Sequence, residues 1–271
     1  MLSVIIPASN EAGYIGDCLT AVLASGPIGA EVIVVANGCH DDTAVVARGF
    51  DDRAAIAGWG FRVIELAQGG KPNALNQGEK AAQGTMLAYL DADVRVSPAL
   101  MRQLITSLQP TTPTYATGTA HIPRAKSAVT RAYARFWQKL PFAQSHAPGY
   151  GLFAVNAAGR AQWGAFPGII SDDTFVRLHF APDQRLQVPA QYDWPMIEGF
   201  AALTRVRRRQ DAGVAEIAAL HPALMANEGK TVLGKAQLMG LAMRDPVGCA
   251  VYAAVSLAVR FSRGDGWVRG R

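Results

Sequence analysis

Residues 85–98 read TMLAYLDADVRVSP. Met86, Leu87, Ala88, Tyr89 and Leu90 form an apolar run of strand length, and Asp91 and Asp93 follow it with one residue between them. Two accounts fit this change from apolar to acidic. One is a strand end followed by a solvated turn, since Asp is frequent in turns. The other is a metal site that holds a phosphate-bearing ligand, since hard divalent cations prefer carboxylate oxygens. Asp-x-Asp alone does not choose between them, so the surrounding chain must.

Working outward, LSVIIPA (2–8) is a short apolar, β-branched run ended by Pro7 and Ala8, which reads as a buried strand. Asn10 is placed to cap a helix with Ile15, Leu19, Val22 and Leu23 at helical spacing. EVIVVA (31–36) and FRVIEL (61–66) read as further strands. Helices are expected from DTAVVARGF (42–50) and from GKPNALNQGEKAAQG (70–84), the latter closed by Gly84. MLAYL (86–90) is the fourth strand.

Four alternations of apolar strand and helix with short connections predict a mostly parallel α/β sheet with helices on both faces. In such sheets ligands bind beyond the carboxyl ends of the strands. Three clusters fall at those ends: PASNE (7–11), ANGCHDD (36–42) and DAD (91–93). They should line one crevice, and this makes Asp91 and Asp93 functional candidates. Beyond residue 98, YATGTAHI (115–122) and GYGLFAV (149–155) read as strands, and AVTRAYARFWQKLPF (128–142) as an amphipathic, aromatic and basic helix or loop. From Ala226 onward two short helices are expected, split by Pro246. The expected organisation is residues 1–98 as a nucleotide-binding half, 99–225 as an acceptor-side half and 226–271 as a helical extension.

The chain has 271 residues, half of them hydrophobic and 17% charged, which is a globular composition with ample material for a core. No apolar run approaches the length of a membrane-spanning helix, and the first residues show no signal-peptide pattern. Three scattered cysteines fit a reducing cytoplasm and form no zinc pattern. The net charge of +5 is concentrated in RVRRRQ (205–210) and in the tail from Arg260 to Arg271. It suits an anionic substrate or an anionic membrane surface. Nucleic acid is not expected, since no zinc-finger, RNA-recognition or helix-turn-helix signature is present.

With these motifs in order, residues 2–215 resemble a family 2 glycosyltransferase of the GT-A fold. The resemblance rests on VIIPASNE, VIVVANGCHDDT, GKPNALNQG, AYLDADV and ISDDTFVRL. It implies inverting transfer of a sugar from a nucleotide diphosphate donor, assisted by Mg²⁺ or Mn²⁺. By that analogy Asp93 is the metal ligand and Asp91 faces the ribose or assists the metal, with Ala92 between them. Pro7, Ala8, Asn10 and Glu11 would wall the base and ribose, and Lys71 and Asn76 would lie near the donor. The family carries its general base as the second residue of a Glu-Asp pair. Here the pair is Asp172–Asp173, so Asp173 would be the base and Asp172 would orient the acceptor. A plain helix start capped by Ser171 would use the same residues. Arg208 stands for the arginine-rich segment that could bind the diphosphate, although no Trp follows Arg209, unlike in processive members. An acid that reads uracil in many members is replaced by Ala36 and Asn37. Asn37 would then hydrogen-bond the base or ribose, with UDP favoured over GDP. His221 is a weak candidate to complete the metal site.

The apolar segment 247–259 reads either as a C-terminal helix packed on the core, with solvated arginines around it, or, with those arginines, Trp267 and RAYARFWQKLPF (131–142), as a peripheral contact with an anionic membrane. A lipid-linked or saccharide acceptor of cell-surface polysaccharide or glycolipid synthesis would suit such a surface. Two alternatives stay open: a non-catalytic nucleotide-sugar-binding protein or accessory subunit, and a sugar-1-phosphate nucleotidyltransferase. A Rossmann dehydrogenase is set aside, because no Gly-x-Gly-x-x-Gly follows the first strand.

Overall fold

The computed structural model describes residues 1–25, 29–229 and 233–261, so Trp267 and the arginines of the tail beyond Arg260 lie outside the described residues. Among the described residues one eight-stranded sheet carries the chain. β1 (Leu2–Ala8), β2 (Glu31–Asn37), β3 (Gly60–Leu66) and β4 (Met86–Leu90) run parallel in the order β3-β2-β1-β4. Past β4 the direction reverses. β7 (Leu152–Val155) pairs antiparallel with β4, and β6 (Tyr115–His121) pairs antiparallel with β7. β8 (Arg185–Asp193) then runs parallel to β6, and the two-residue β5 (Arg95–Val96) closes that edge.

The continuous apolar strands have the expected consequence, in that β1 and β2 bury both faces. Val4, Ile6, Val32 and Val34 pack under α1 (Ile15–Leu23), α2 (Thr43–Arg48) and α3 (Asp51–Ile56). On the opposite face Ile5, Ile33 and Val35 meet α4 (Lys71–Ala81). Each such side chain contributes about 1.5–3 kcal/mol on burial. Gly78 lets α4 come this close, since a Cβ there would stand 2.5 Å from Ile5 Cγ2. β3 departs from the reading. As an edge strand it is only partly buried: Phe61 and Val63 pack on one face of the sheet and Ile64 and Leu66 on the other, and none of them is fully buried.

The second half adds α5 (Leu100–Ser107), α6 (Ala128–Trp137), α7 (Ala157–Arg160), α8 (Asp172–Leu178) and the long α9 (Phe200–Leu220). Helices α10 (Lys235–Arg244) and α11 (Pro246–Phe261) follow, with Pro246 as the first residue of the latter. A small cluster of Tyr133, Leu203 and Val255 joins α6, α9 and α11. Asp245 completes the joint. Its Oδ1 accepts the Gly248 N–H at 2.9 Å and its carboxylate takes the Arg135 guanidinium at 2.8 Å through two nitrogens.

Three further differences have clear causes. Helix α1 begins at Ile15, not beside Asn10; Asn10 adopts φ 58° and its Oδ1 accepts the His40 N–H at 2.7 Å. The strand read over 149–155 begins only at Leu152, because Gly149 and Gly151 take φ of 74° and 73°. β8 carries Pro189, which argues against a strand in the sequence. The pairing with β6 skips from Thr117↔Gln187 to Thr119↔Gln191, so the proline sits in an irregularity where no ladder donor is required.

Candidate active site

The carboxyl ends of β1, β2 and β4 converge on one wall of a cleft of about 320 Å³. Backbone and side chains tie their loops together. Glu11 N–H donates to Thr43 Oγ1 at 2.8 Å and Ala12 N–H to Asp41 Oδ2 at 3.1 Å. Asn37, 3% exposed, donates from Nδ2 to the Ala8 carbonyl at 2.9 Å and accepts the Gly70 N–H on Oδ1 at 2.9 Å. The sequence reading gave this amide to the base or ribose. The structure uses its polar groups to hold β1, β2 and the approach to α4 in register, because a buried amide must satisfy its hydrogen bonds locally.

Pro7, Glu11, Asn37, Lys71, Asp91, Ala92 and Asp93 line the cleft, and so do Asp172 and Asp173 from the opposite side. The two acidic pairs, about 80 residues apart in sequence, thus face one space. Asp91 is held at the end of β4 by its N–H, which donates to the Gly151 carbonyl at 2.9 Å. Asp172 and Asp173 form the first turn of α8, where the helix dipole favours acids. Ser171 occupies the cap position without capping through its side chain; its Oγ is crowded by Gly213 of α9, where a Cβ would come within 2.2 Å.

Lys71 connects the pairs. Its Nζ lies 2.7 Å from Asp91 Oδ1 and 3.1 Å from Asp172 Oδ2. Burial works to lower the ammonium's pKa, but Asp172 and Asp91 outweigh it and leave the group above the ordinary lysine range. Asp172 is almost fully buried, and burial, with Asp173 and Asp91 adding to it against Lys71, pushes its carboxyl up to about 6. Asp173 is half-buried, and its Oδ1 accepts the neighbouring Thr174 N–H at 2.6 Å.

Five sequence candidates stand outside the cleft lining. Ala8 is buried behind the wall and accepts from Asn37, and Asn10 links the loops after β1 and β2. Asn76 pairs with the backbone of Phe166 in both directions, at 3.0 and 2.8 Å, and so fastens α4 to the segment before α8. Arg208 is replaced on the cleft wall by Arg207, Arg209 and Gln210. Of these, Arg207 is held by Asp211 at 2.8 Å and by the hydroxyl of Tyr252 at 3.1 Å. His221 packs its ring edge-on against Phe175, 5.3 Å between centroids, and is not part of the cleft lining.

The far end of the cleft was foreseen only where RAYARFWQKLPF (131–142) supplies Tyr133 and Trp137; its other walls were not. Tyr133, Trp137, Tyr150 and Trp194 line it together with Met196, Ile197 and Leu203. Tyr150 and Trp194 lie 4.7 Å apart, and Trp137 stands 5.6 and 5.9 Å from them. The signal was present in YDWP (192–195), a Trp-Pro at the end of a strand, but β8 was not read as a strand. The basic residues expected to form a surface with these aromatics are otherwise engaged: Arg135 and Lys139 converge on Asp245, at 2.8 and 3.6 Å.

The donor set suits a hard divalent cation. Asp91 and Asp93 are carboxylates at one strand end facing the cleft, and phosphate and water can fill the other positions. Among the described residues no group of three or more His, Cys, Asp or Glu is placed to hold a metal ion.

Comparison with known proteins bears on the family and the fold. A family model described as glycosyl transferase family 2 matches residues 3–160. The uncharacterized glycosyltransferase EpsJ of Bacillus subtilis is 34% identical over 104 residues, 38% of this chain and 29% of that protein. The dodecaprenyl-phosphate galacturonate synthase of Rhizobium johnstonii is 30% identical over 112 residues, 40% of this chain and 32% of that protein. The matched stretch spans about a third of the length of either relative. Among solved structures, the mannosyltransferase of Pyrobaculum calidifontis in complex with GDP-Man and Mn²⁺ is similar with a TM-score of 0.62 and 18% identity, covering 97% of this chain and 76% of that one. At that identity the likeness concerns the fold, which is GT-A. The family match runs from β1 through α7 and so takes in the strand ends that present Glu11, Lys71, Asp91 and Asp93; with more than half its length matched, the chain belongs to glycosyl transferase family 2.

Proposed function

We propose that this chain transfers a sugar, with inversion, from a nucleoside diphosphate donor to a hydroxyl of a saccharide or lipid-linked acceptor. The observation that carries the reading is the meeting of the Asp91/Asp93 and Asp172/Asp173 pairs across one cleft. The nucleotide lies along the wall of Pro7, Glu11 and Asn37. Asp93 and Asp91 would hold Mg²⁺ or Mn²⁺, which supplies positive charge against the diphosphate as it leaves. Asp173 acts as general base: it takes the proton of the acceptor hydroxyl while that oxygen bonds to the anomeric carbon. The bond from that carbon to the donor's phosphate oxygen breaks with its electron pair going to the diphosphate. Asp172, buried and tied to Lys71, is less accessible to an acceptor hydroxyl and serves to position Asp173 and the acceptor.

The aromatic end of the cleft receives the acceptor. Trp137, Tyr150 and Trp194 offer ring faces to a sugar, and Met196, Ile197 and Leu203 offer apolar surface to a lipid-linked one. Exposed Leu238, Met239, Met243 and Val247 on α10 and α11 support a peripheral lipid contact on the cytoplasmic side. Calorimetry with UDP- and GDP-sugars plus Mn²⁺ tests the donor half. Binding should depend on the metal and be lost in Asp93→Ala. Metal-dependent binding that is unchanged in Asp93→Ala would overturn the metal assignment, and donor binding without any turnover toward saccharide or lipid-linked acceptors would favour the non-catalytic alternative.

A further inference from the structure

Lys71 is a cation already seated among the site's carboxylates, 2.7 Å from Asp91 and 3.1 Å from Asp172. Its place is set by its neighbours. Gly70 takes φ 149° and donates its N–H to Asn37, and Pro72 stiffens the first turn of α4. The ammonium forms ion pairs with both carboxylates. Asp91 is also one of the two carboxylates assigned to the divalent ion. A second cation placed at Asp91 would repel Lys71 at short range in a cleft partly shielded from water.

We propose that Lys71 is an internal competitor of the divalent cation, which makes metal binding depend on the nucleotide. This rests on the reading that Asp91 and Asp93 hold the ion. Without nucleotide, Lys71 neutralises Asp91 and lowers the site's attraction for a metal. A nucleoside diphosphate brings anionic oxygens that draw the ammonium away from Asp91, and the carboxylate is then available to the ion. Lys71 is thus a positioning residue that couples the arrival of donor and metal. It also keeps a hold on Asp172 at the same time, so the acid pair on α8 is tied to the state of the donor end.

The test is Mn²⁺ alone, titrated calorimetrically into the wild-type chain and into Lys71→Met, Lys71→Gln, Lys71→Arg and Asp93→Ala. Removing the competing charge in Lys71→Met or Lys71→Gln should tighten Mn²⁺ binding about tenfold or more. Lys71→Arg keeps the charge and should stay close to wild type. With UDP present the order should reverse, since the neutral variants lack the ammonium that meets the diphosphate. Two neutral variants guard against one failing to fold, and thermal unfolding reports which are native. If both bind Mn²⁺ alone no more tightly than wild type while Asp93→Ala weakens it, the competition is refuted and the metal seat stands. If Asp93→Ala leaves Mn²⁺ affinity unchanged, the metal seat itself falls, and the competition with it.

Discussion

Asn37 offers the sharpest separation between a ligand-reading and a scaffolding role. Its Nδ2 serves the Ala8 carbonyl and its Oδ1 the Gly70 N–H, both at 2.9 Å, in a site only 3% exposed. Asn37→Ala removes both bonds and leaves a buried carbonyl and a partly buried N–H without those partners. Each loss costs about 1–3 kcal/mol, and partial relief by entering water at Gly70 brings the expected total to about 2–4 kcal/mol. For a chain of this size about 1 kcal/mol moves Tm by roughly 2–4 °C, so Asn37→Ala should melt about 5–12 °C lower. Asn37→Asp should also be destabilised. Its carboxylate can still accept from Gly70 but cannot donate to Ala8, and it sets two acceptors face to face. Differential scanning calorimetry measures the shift, and donor calorimetry below the transition measures the binding. A base-reading asparagine would give the opposite pattern: donor affinity lost with Tm within about 2 °C of wild type. That result would refute the scaffold argument.

Asp173→Asn should lower turnover on the order of 10²-fold or more with donor affinity nearly intact, and Asp172→Asn should cost less; stopped assays of nucleoside diphosphate release rank them, and the reverse order would exchange their roles. Asp172 has a folded-state pKa raised to about 6 from 3.8, so its ionised form costs stability, and that cost grows as pH rises from the lower value through the higher one. The Tm of Asp172→Asn relative to wild type should therefore be more favourable at pH 8 than at pH 4, and a difference that runs the other way would contradict the raised value. Asp245→Ala removes the α11 cap, worth about 1 kcal/mol, and leaves the half-exposed Arg135 unpaired, a smaller loss. Its Tm should fall by a few degrees, further than that of Arg135→Ala; equal Tm values would mean the cap contributes nothing.

The first half of the fold was legible because its physics is local. Four apolar runs, the first three with β-branched residues, and the helix-period segments between them imply the parallel sheet, and the strand ends that carry Glu11, Lys71, Asp91 and Asp93 follow from the topology. The partnerships across the cleft were not legible. That Lys71 would reach both Asp91 and Asp172 depends on where α8 sits, and nothing within residues 70–93 encodes that position. Asn76 and Asn37 look like ligand-binding amides in sequence, yet each is spent on backbone more than 30 residues away in one direction or the other, at Phe166 and Gly70. β8 was hidden by Pro189, and with it went Trp194 and the aromatic end of the cleft. Within α9 the basic run offered several arginines at consecutive positions, and only the helix phase, with Leu203, Val206, Arg207 and Gln210 toward the cleft, decides which of them matter.

The stretch RAYARFWQKLPF shows how the same residues exchange roles once the chain is folded. In sequence it alternates basic and aromatic residues, the pattern of a membrane-facing surface. In the structure Arg135 and Lys139 turn to Asp245, the residue that caps α11, while Tyr133 and Trp137 turn to the cleft. The two facts are linked by helix geometry: Tyr133 and Trp137 are four apart and share one face of α6, while Arg135 lies on another and Lys139 follows just past the helix end. Because one carboxylate offsets one of the two positive charges of Arg135 and Lys139, that side has less charge left with which to attract anionic headgroups. The aromatic face, by contrast, is committed to a pocket whose other walls are Trp194, Met196 and Leu203. Through Asp245 the start of α11 is tied to Arg135 of α6, and this joint favours the roll of α6 in which Tyr133 and Trp137 turn to the cleft and not to the solvent.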